Sequence, residues 1–461
     1  MVLGILLICM VSCATLPTDN EPLLDPQIDI SGYWEGKIVM SPGNTLTLGF
    51  LVTAQKQGYD ALFFVLEQGV TEMPVTAVEY DSHTITITLD SLQASYSGTY
   101  STATDAIEGT FTQMGSSLPL ELKRGSSPTL YRPQEPKPPY PYLSEDVHFL
   151  QTPEHFLLAG TITRPPGKGP FPAVVLVSGS GPQNRDEEIM GHKPFLLLAD
   201  TLTRSGIVVL RYDDRGVAES AGDSTTATSL DLANDAQSAI NFLKTQTYVD
   251  PDAIGILGHS EGGLIGPIVA QQYKSVAFLI LMAGPGVKGL EVLEDQTAAI
   301  MRAQNIPEEI IDQTVALNMS IYHLVLDSSK SLAERRKAVY EMLETANLAP
   351  SAIETQIDAL FSPWYVTFLE LDPATFLAEV TIPVLILQGT KDTQVSATLN
   401  IPAIERALQK GNNPKFTTII YDGLNHLFQP AESGGVEEYA TIETTIDAQV
   451  LADIVIWINQ L

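Results

Sequence analysis

The stretch Ile254-Gly255-Ile256-Leu257-Gly258-His259-Ser260-Glu261-Gly262-Gly263 decides how the rest of the chain is read. It opens with an apolar run that has no polar alternation, the pattern of a strand buried on both faces. It closes on residues 262–272, whose spacing is helical. Between them lies a G-x-S-x-G turn, and that motif requires this strand–turn–helix setting. Gly258 and Gly262 carry no Cβ, so the chain can double back sharply there. Ser260 then projects from a tight turn into the crevice above the sheet, where ligands bind in such folds. The flanking strand and helix favour a nucleophile over a serine that merely shapes a turn.

Working outward, further apolar runs fall at 173–177, 208–212, 278–282, 384–387 and 416–421. Helical stretches alternate with them at 194–204, 230–244, 399–410 and 448–459. Alternation of this kind predicts an α/β fold, a doubly wound and mostly parallel sheet. Residues 287 to about 380 interrupt the rhythm. They carry mostly helical periodicity, with many Glu and Ala and no convincing strand, and predict a helical cap inserted into a domain spanning 143–461.

A serine needs a base to take its proton. In this fold class the partners follow in the order Ser, Asp or Glu, His. Two histidines lie beyond Ser260, His323 inside the cap and His426 in a loop just after the run at 416–421. His426 is the base on this reading. Asp392 follows the strand at 384–387 and a glycine turn, at the same sheet edge, and is the acid. Asp422 is its rival, with a turn role beside Gly423 as the simpler reading. Two backbone N–H groups should hold an oxyanion. One is that of Glu261, directly after the nucleophile, and the other is that of Ser180 in the loop Ser178-Gly179-Ser180-Gly181-Pro182. The Glu261 side chain reads as a helix-terminus acid and His259 as packing beside the turn.

Upstream, residues 28–125 hold short alternating runs separated by Gly, Asp and Asn, as in a small all-β barrel or sandwich. Gly32-Tyr33-Trp34 and Leu122-Lys123-Arg124 at its two ends resemble those of lipocalin-like barrels. Residues 126–142 contain six prolines and read as an extended linker. Residues 1–12 are almost wholly apolar, too short for a membrane span and suited to a signal. Val11-Ser12-Cys13 resembles a bacterial lipoprotein signal, although no Lys or Arg precedes it. Cys13 is then the lipidated residue, residues 13–27 a tether, and the protein a periplasmic or outer-membrane lipoprotein. A plain signal peptide cut elsewhere is the alternative.

The 461 residues carry 25 Lys and Arg against 55 Asp and Glu, a formal charge of −30. So acidic a surface disfavours nucleic acid as a partner. The two cysteines, Cys9 and Cys13, both lie in the signal region, which leaves no disulfide framework and no cysteine-based metal site in the rest.

The later domain resembles bacterial α/β-hydrolase esterases, the EstD-like group with a β module ahead of the catalytic domain. The resemblance rests on Pro170-Phe171-Pro172-Ala173-Val174-Val175, on Ser178-Gly179-Ser180-Gly181-Pro182 with Arg185-Asp186, on Arg211-Tyr212-Asp213-Asp214-Arg215-Gly216 and on the Ser260 motif. Ala218 departs from the usual glycine. The resemblance implies a Ser260–Asp392–His426 triad, hydrolysis of short-chain carboxylic esters through an acyl-enzyme, and a small-molecule ester as substrate. The chemistry calls for no cofactor and no metal. Two other readings stand beside it. One is a serine peptidase of the prolyl-oligopeptidase type. The other is a non-catalytic, ligand-binding envelope lipoprotein. Trp364, Tyr365 and Phe368 either roof an acyl pocket or form the core of the cap.

Overall fold

The protein is described by a computed structural model that covers residues 29–41, 44–55, 58–65, 70–81, 83–114, 116–125, 132–344 and 350–461. Cys13, the signal and the tether lie outside the described residues, as does the start of the proline-rich segment.

The first region is all β. Its strands are β1 (Gly32–Ser41), β2 (Asn44–Ala54), β3 (Tyr59–Val65), β4 (Val70–Pro74), β5 (Ala77–Asp81), β6 (Thr84–Leu89), β7 (Ala94–Ser101), β8 (Ala106–Gln113) and β9 (Ser116–Arg124). Eight of them close a ring in the order β1-β9-β8-β7-β6-β5-β3-β2, and β4 adds to β3. Closure removes the exposed edges that an open sheet would present. The period-2 pattern explains the interior. In β6, Ile85, Ile87 and Leu89 point inward and the threonines outward. The centre is filled by Trp34, Phe50, Phe63 and Tyr96, all buried. The Tyr96 hydroxyl donates to the carbonyl of Ile107 at 3.0 Å, so its burial leaves no polar atom unpaired. Trp34 faces Arg124 across the β1–β9 pair. The guanidinium lies 4.3 Å over the indole ring, and the indole N–H donates to the Ile30 carbonyl at 2.8 Å. The two ends that resemble lipocalin-like barrels are thus in contact.

The second region is an eight-stranded sheet. Its strands are β10 (Leu143–Leu150), β11 (Leu157–Arg164), β12 (Phe171–Val177), β13 (Val208–Tyr212), β14 (Val249–His259), β15 (Leu279–Met282), β16 (Val384–Gly389) and β17 (Phe416–Tyr421). They lie in the order β10-β11-β13-β12-β14-β15-β16-β17. The first two pairings are antiparallel and the rest parallel. This is the α/β-hydrolase architecture. Helices α1 (Pro194–Arg204) and α11 (Ala448–Ile458) cover one face. Helices α2 (Ser229–Lys244), α3 (Gly262–Tyr273) and α10 (Ala397–Lys410) cover the other. In β12, Ala173, Val175 and Val177 join one core and Val174 and Leu176 the other. That is why the run shows no alternation. The edge pair β10 and β11 has no such run. Most of β10 is exposed, so its sequence is polar and gives no strand signal.

Between β15 and β16 the chain forms α4 (Gly289–Ala303), α5 (Glu308–Leu326), α6 (Leu332–Glu344), α7 (Pro350–Leu360), α8 (Pro363–Glu370) and α9 (Pro373–Leu377). These helices share a core of their own that includes Ile321, Val325, Val339, Ile353 and Leu369. No helix among the described residues is long and apolar enough to cross a membrane. The described end of the proline-rich segment is tied down by side chains. The Arg132 guanidinium donates to the carbonyls of Met190, Ala440 and Ile442 at 2.7–3.0 Å, which fixes the segment to loops of the second region.

Candidate active site

β14 ends at His259 and α3 begins at Gly262, so Ser260 and Glu261 form the turn between them. The φ of Ser260 is +52°, in the left-handed region that a residue with a Cβ adopts only under strain. Two backbone bonds hold it there. Its N–H donates to the Met282 carbonyl, and its carbonyl accepts from Gly263, both at 2.8 Å. The glycines of the motif are needed for space. A Cβ on Gly258 would sit 2.0 Å from the Gly262 carbonyl oxygen, and one on Gly262 would sit 2.1 Å from that of Val177.

Asp392 follows β16 and His426 follows β17, two parallel neighbours of the same sheet, so their loops meet at one rim. His426 Nδ1 lies 2.8 Å from Asp392 Oδ2, and both side chains are buried. Three other donors fix the carboxylate. The amides of Gln394 and Val395 each donate to Oδ1 at 2.8 Å, and Gln388 Nε2 donates to Oδ2 at 2.7 Å. A carboxylate against Nδ1 selects the tautomer with its proton there and leaves Nε2 free to accept one. Asp422 instead accepts from the Thr390 hydroxyl at 3.0 Å, an exposed turn contact. His323 lies on α5 in the cap. Among the described residues the Ser260 hydroxyl makes no hydrogen bond, to His426 or to another group. Such bonds are often long in a site without substrate and tighten when one binds.

The loop after β12 is braced from below. The Ser178 hydroxyl donates to Asp214 Oδ1 and the Gln183 amide to Oδ2, each at 2.9 Å, so one carboxyl pins both ends. Burial pushes the Asp214 carboxyl up to about 8, against the pull of those two donors. The Gly179 amide donates to Glu187 Oε1 at 2.7 Å. The amides of Ser180 and Glu261 donate to no protein acceptor among the described residues. Both are therefore open to a ligand.

The Glu261 side chain does more than sit at a helix terminus. Ser229, at the start of α2, donates its hydroxyl to Oε1 at 2.5 Å. Trp364 on α8 of the cap donates its indole N–H to both oxygens, at 2.9 and 3.1 Å. Burial raises the Glu261 carboxyl, while hydrogen bonds from Ser229, Trp364 and Ser180 oppose the rise. One carboxylate thus gathers a core helix, the cap and the loop after β12. The three cap aromatics divide. Tyr365 packs into the cap core, whereas Trp364 stacks on Phe368 at 5.2 Å against the sheet core.

Arg185 is occupied by ion pairs with Asp213 and Glu219, both at 2.6 Å, and holds the loop rather than standing open. Arg215 pairs with buried Asp235 at 2.7 Å. Sequence reasoning missed Glu187, Ser229 and Gln388. Glu187 is one acid in the run Arg185-Asp186-Glu187-Glu188 and carries no mark that separates it from its neighbours. Its partner His259 is 72 residues off in the chain. Among the described residues no group of three or more His, Cys, Asp or Glu side chains could hold a metal ion.

Comparison with known proteins gives three findings. The chain is 29% identical over 300 residues to the esterase EstD of Thermotoga maritima, a match covering 65% of each protein, so it spans just under two thirds of that relative's length. Among solved structures, the esterase Pf2001 of Pyrococcus furiosus superposes with a TM-score of 0.44 at 14% identity, over 72% of this chain and 98% of that one. The protein PA2218 of Pseudomonas aeruginosa does so with a TM-score of 0.45 at 15% identity, over 71% and 96%. Residues 154–411, more than half of the chain, match the family described as X-Pro dipeptidyl-peptidase (S15 family), and they include Ser260 and Asp392. The chain belongs to that S15 family.

Proposed function

We propose that the protein is a serine hydrolase that cleaves carboxylic esters, with Ser260 as nucleophile, His426 as base and Asp392 as the orienting acid. The observation that carries this reading is the buried 2.8 Å contact of Asp392 with His426 at the same sheet rim as a serine held at φ +52°. Ser260 attacks the ester carbonyl while His426 Nε2 takes its proton. The negative charge that develops on the carbonyl oxygen is received by the Ser180 and Glu261 amides. His426 returns the proton to the departing alcohol, which leaves an acyl group on Ser260. Water, deprotonated by the same imidazole, then releases the acid and restores the hydroxyl.

The EstD similarity favours esters, and short acyl chains are the expected preference. The S15 membership supports a second reading, cleavage after an X-Pro pair. Both use the same triad chemistry. A peptidase that reads a free N-terminus needs a carboxylate to spare for the ammonium group. The acid next to the nucleophile, Glu261, has its oxygens committed to Ser229 and Trp364. On this reading Cys13 carries a lipid that anchors the enzyme in the bacterial envelope.

The test is labelling by a fluorophosphonate probe, followed by turnover of p-nitrophenyl acetate, butyrate and decanoate and of Gly-Pro p-nitroanilide. Labelling that disappears in Ser260→Ala, with acetate or butyrate turned over fastest, is the expected result. Failure to label, or full activity in Ser260→Ala, overturns the assignment. Faster turnover of the nitroanilide moves it to the peptidase reading.

A further inference from the structure

We infer that His259 is a second imidazole in the site, protonated on both ring nitrogens between the Glu187 carboxylate and the His426 backbone carbonyl, and that as a positioning residue it holds the base His426 in place. This deepens the acyl-transfer reading and rests on it for the role of His426.

The argument starts from what each ring nitrogen faces. His259 Nδ1 lies 2.9 Å from Glu187 Oε1, and Nε2 lies 3.0 Å from the backbone carbonyl of His426. A carbonyl oxygen can only accept, and so can an ionised carboxylate. A neutral imidazole has one N–H and would leave one of the two contacts lone pair against lone pair. Glu187 Oε1 also accepts the Gly179 amide at 2.7 Å, so this oxygen already serves as an acceptor. Both side chains are buried, so water cannot stand in for a missing partner. Burial works against a charge on His259, but the charge and hydrogen bond of Glu187, with the His426 carbonyl, outweigh it and raise the imidazole.

The surroundings leave few charges to consider. Phe195, Leu198, Met282 and Leu427 line the space beside the pair and are apolar. Asp392 acts on His259 from the far side of His426 and favours the cation. Tyr439, near Asp392, stays neutral because burial pushes its phenol up. His192, bonded to the Tyr439 carbonyl, is held neutral by burial, which takes it down to about 4. What faces His426 is then Asp392 at Nδ1 and the His259 ring, whose centroid is 4.8 Å away. The same pair links the two halves of the machinery, since Glu187 holds Gly179 and His259 holds the His426 backbone.

Nitrogen-15 NMR of histidine-labelled protein decides the protonation state in the unaltered chain, with His259 assigned by its loss in His259→Gln. Two N–H protons on His259 at neutral pH are expected, and a single one overturns the proposal whether or not the protein is a hydrolase. The second readout is the split of kcat from KM for p-nitrophenyl butyrate. His259→Gln cannot donate to both acceptors at once, so kcat should fall about tenfold with KM unchanged and labelling retained. An unchanged kcat in that variant, or a loss carried by KM alone, overturns the role assigned to His259. Absence of fluorophosphonate labelling would instead remove the hydrolase reading, while the NMR spectrum would still decide whether His259 is a cation.

Discussion

The barrel and the hydrolase sheet bury their polar groups in opposite ways. In the barrel, the central polar atom is a neutral hydroxyl, Tyr96, bonded to a backbone carbonyl and surrounded by aromatic rings. In the sheet region, carboxyls are buried in the loops that follow parallel strands, Asp214, Glu187, Glu261 and Asp392, and on α2, Asp235. The sheet region also holds Ser260 in a strained turn. Buried charge and backbone strain both cost free energy, and they persist where the surrounding structure over-determines them. The contrast separates a unit built for packing from one built to hold reactive groups ready. A lumen filled by Trp34, Phe50, Phe63 and Tyr96 suits the barrel to a structural role, whatever its outline shares with ligand-binding barrels.

Four substitutions put that contrast at risk. The largest effect belongs to Asp392→Asn, which leaves the shape but spoils the tautomer of His426. It should lower kcat by about 10³–10⁴-fold with unchanged circular dichroism. A loss under tenfold would mean that the buried pair is only structural. Next comes Gly262→Ala. Its Cβ would meet the Val177 carbonyl oxygen at 2.1 Å, so backbone must shift on both sides. A loss of about 3 kcal/mol in urea unfolding of the sheet region, together with most of the activity, is expected. Wild-type stability in that variant would show that the turn has slack.

Asp214→Asn sharpens the contrast through pH. The carboxyl titrates at about 8 when folded, above its ordinary 3.8. Between those values the unfolded chain has released a proton that the folded one still holds. The wild type therefore loses stability as pH rises from about 4 to about 8, and the amide does not. The Tm of the variant relative to wild type should climb by a few degrees over that window and level off above it. A constant difference would mean that Asp214 is ionised throughout. The smallest effect is Tyr96→Phe, which leaves the Ile107 carbonyl without the Tyr96 hydroxyl. About 1 kcal/mol of barrel stability should go, with ester turnover unchanged. A change in kcat would tie the barrel to the chemistry.

Legibility followed burial. The runs at β12, β14 and β16 were readable because both faces of those strands are covered, so the sequence is continuously apolar. β10 is illegible because an exposed edge strand carries Glu, Asp and His, and β11, although buried, because Gly160, Thr161 and Thr163 break its apolar run. Ser260, Asp392 and His426 can be placed at one rim from the sequence because each follows a readable strand, and the contact between Asp392 and His426 lies at that rim. Glu187 and Ser229 were not found. Their value comes from partners 72 and 32 residues away, and local pattern says nothing about such contacts. The Glu261 side chain was read as a helix-terminus acid because its carboxylate partners lie on α2 and α8, out of view of the local sequence.

From the chain alone came the parallel sheet, the β region ahead of it and the order in which Ser260, Asp392 and His426 follow their strands. Each is written in short-range periodicity, which follows from which faces must avoid water. Tertiary structure decided the ring closure of the barrel, the docking of Arg132 onto loops of the sheet region, and the protonation partners of His259. Those depend on which groups meet after the chain has crossed over itself. Their energies are set by burial and by hydrogen-bond geometry, neither of which exists until the fold does.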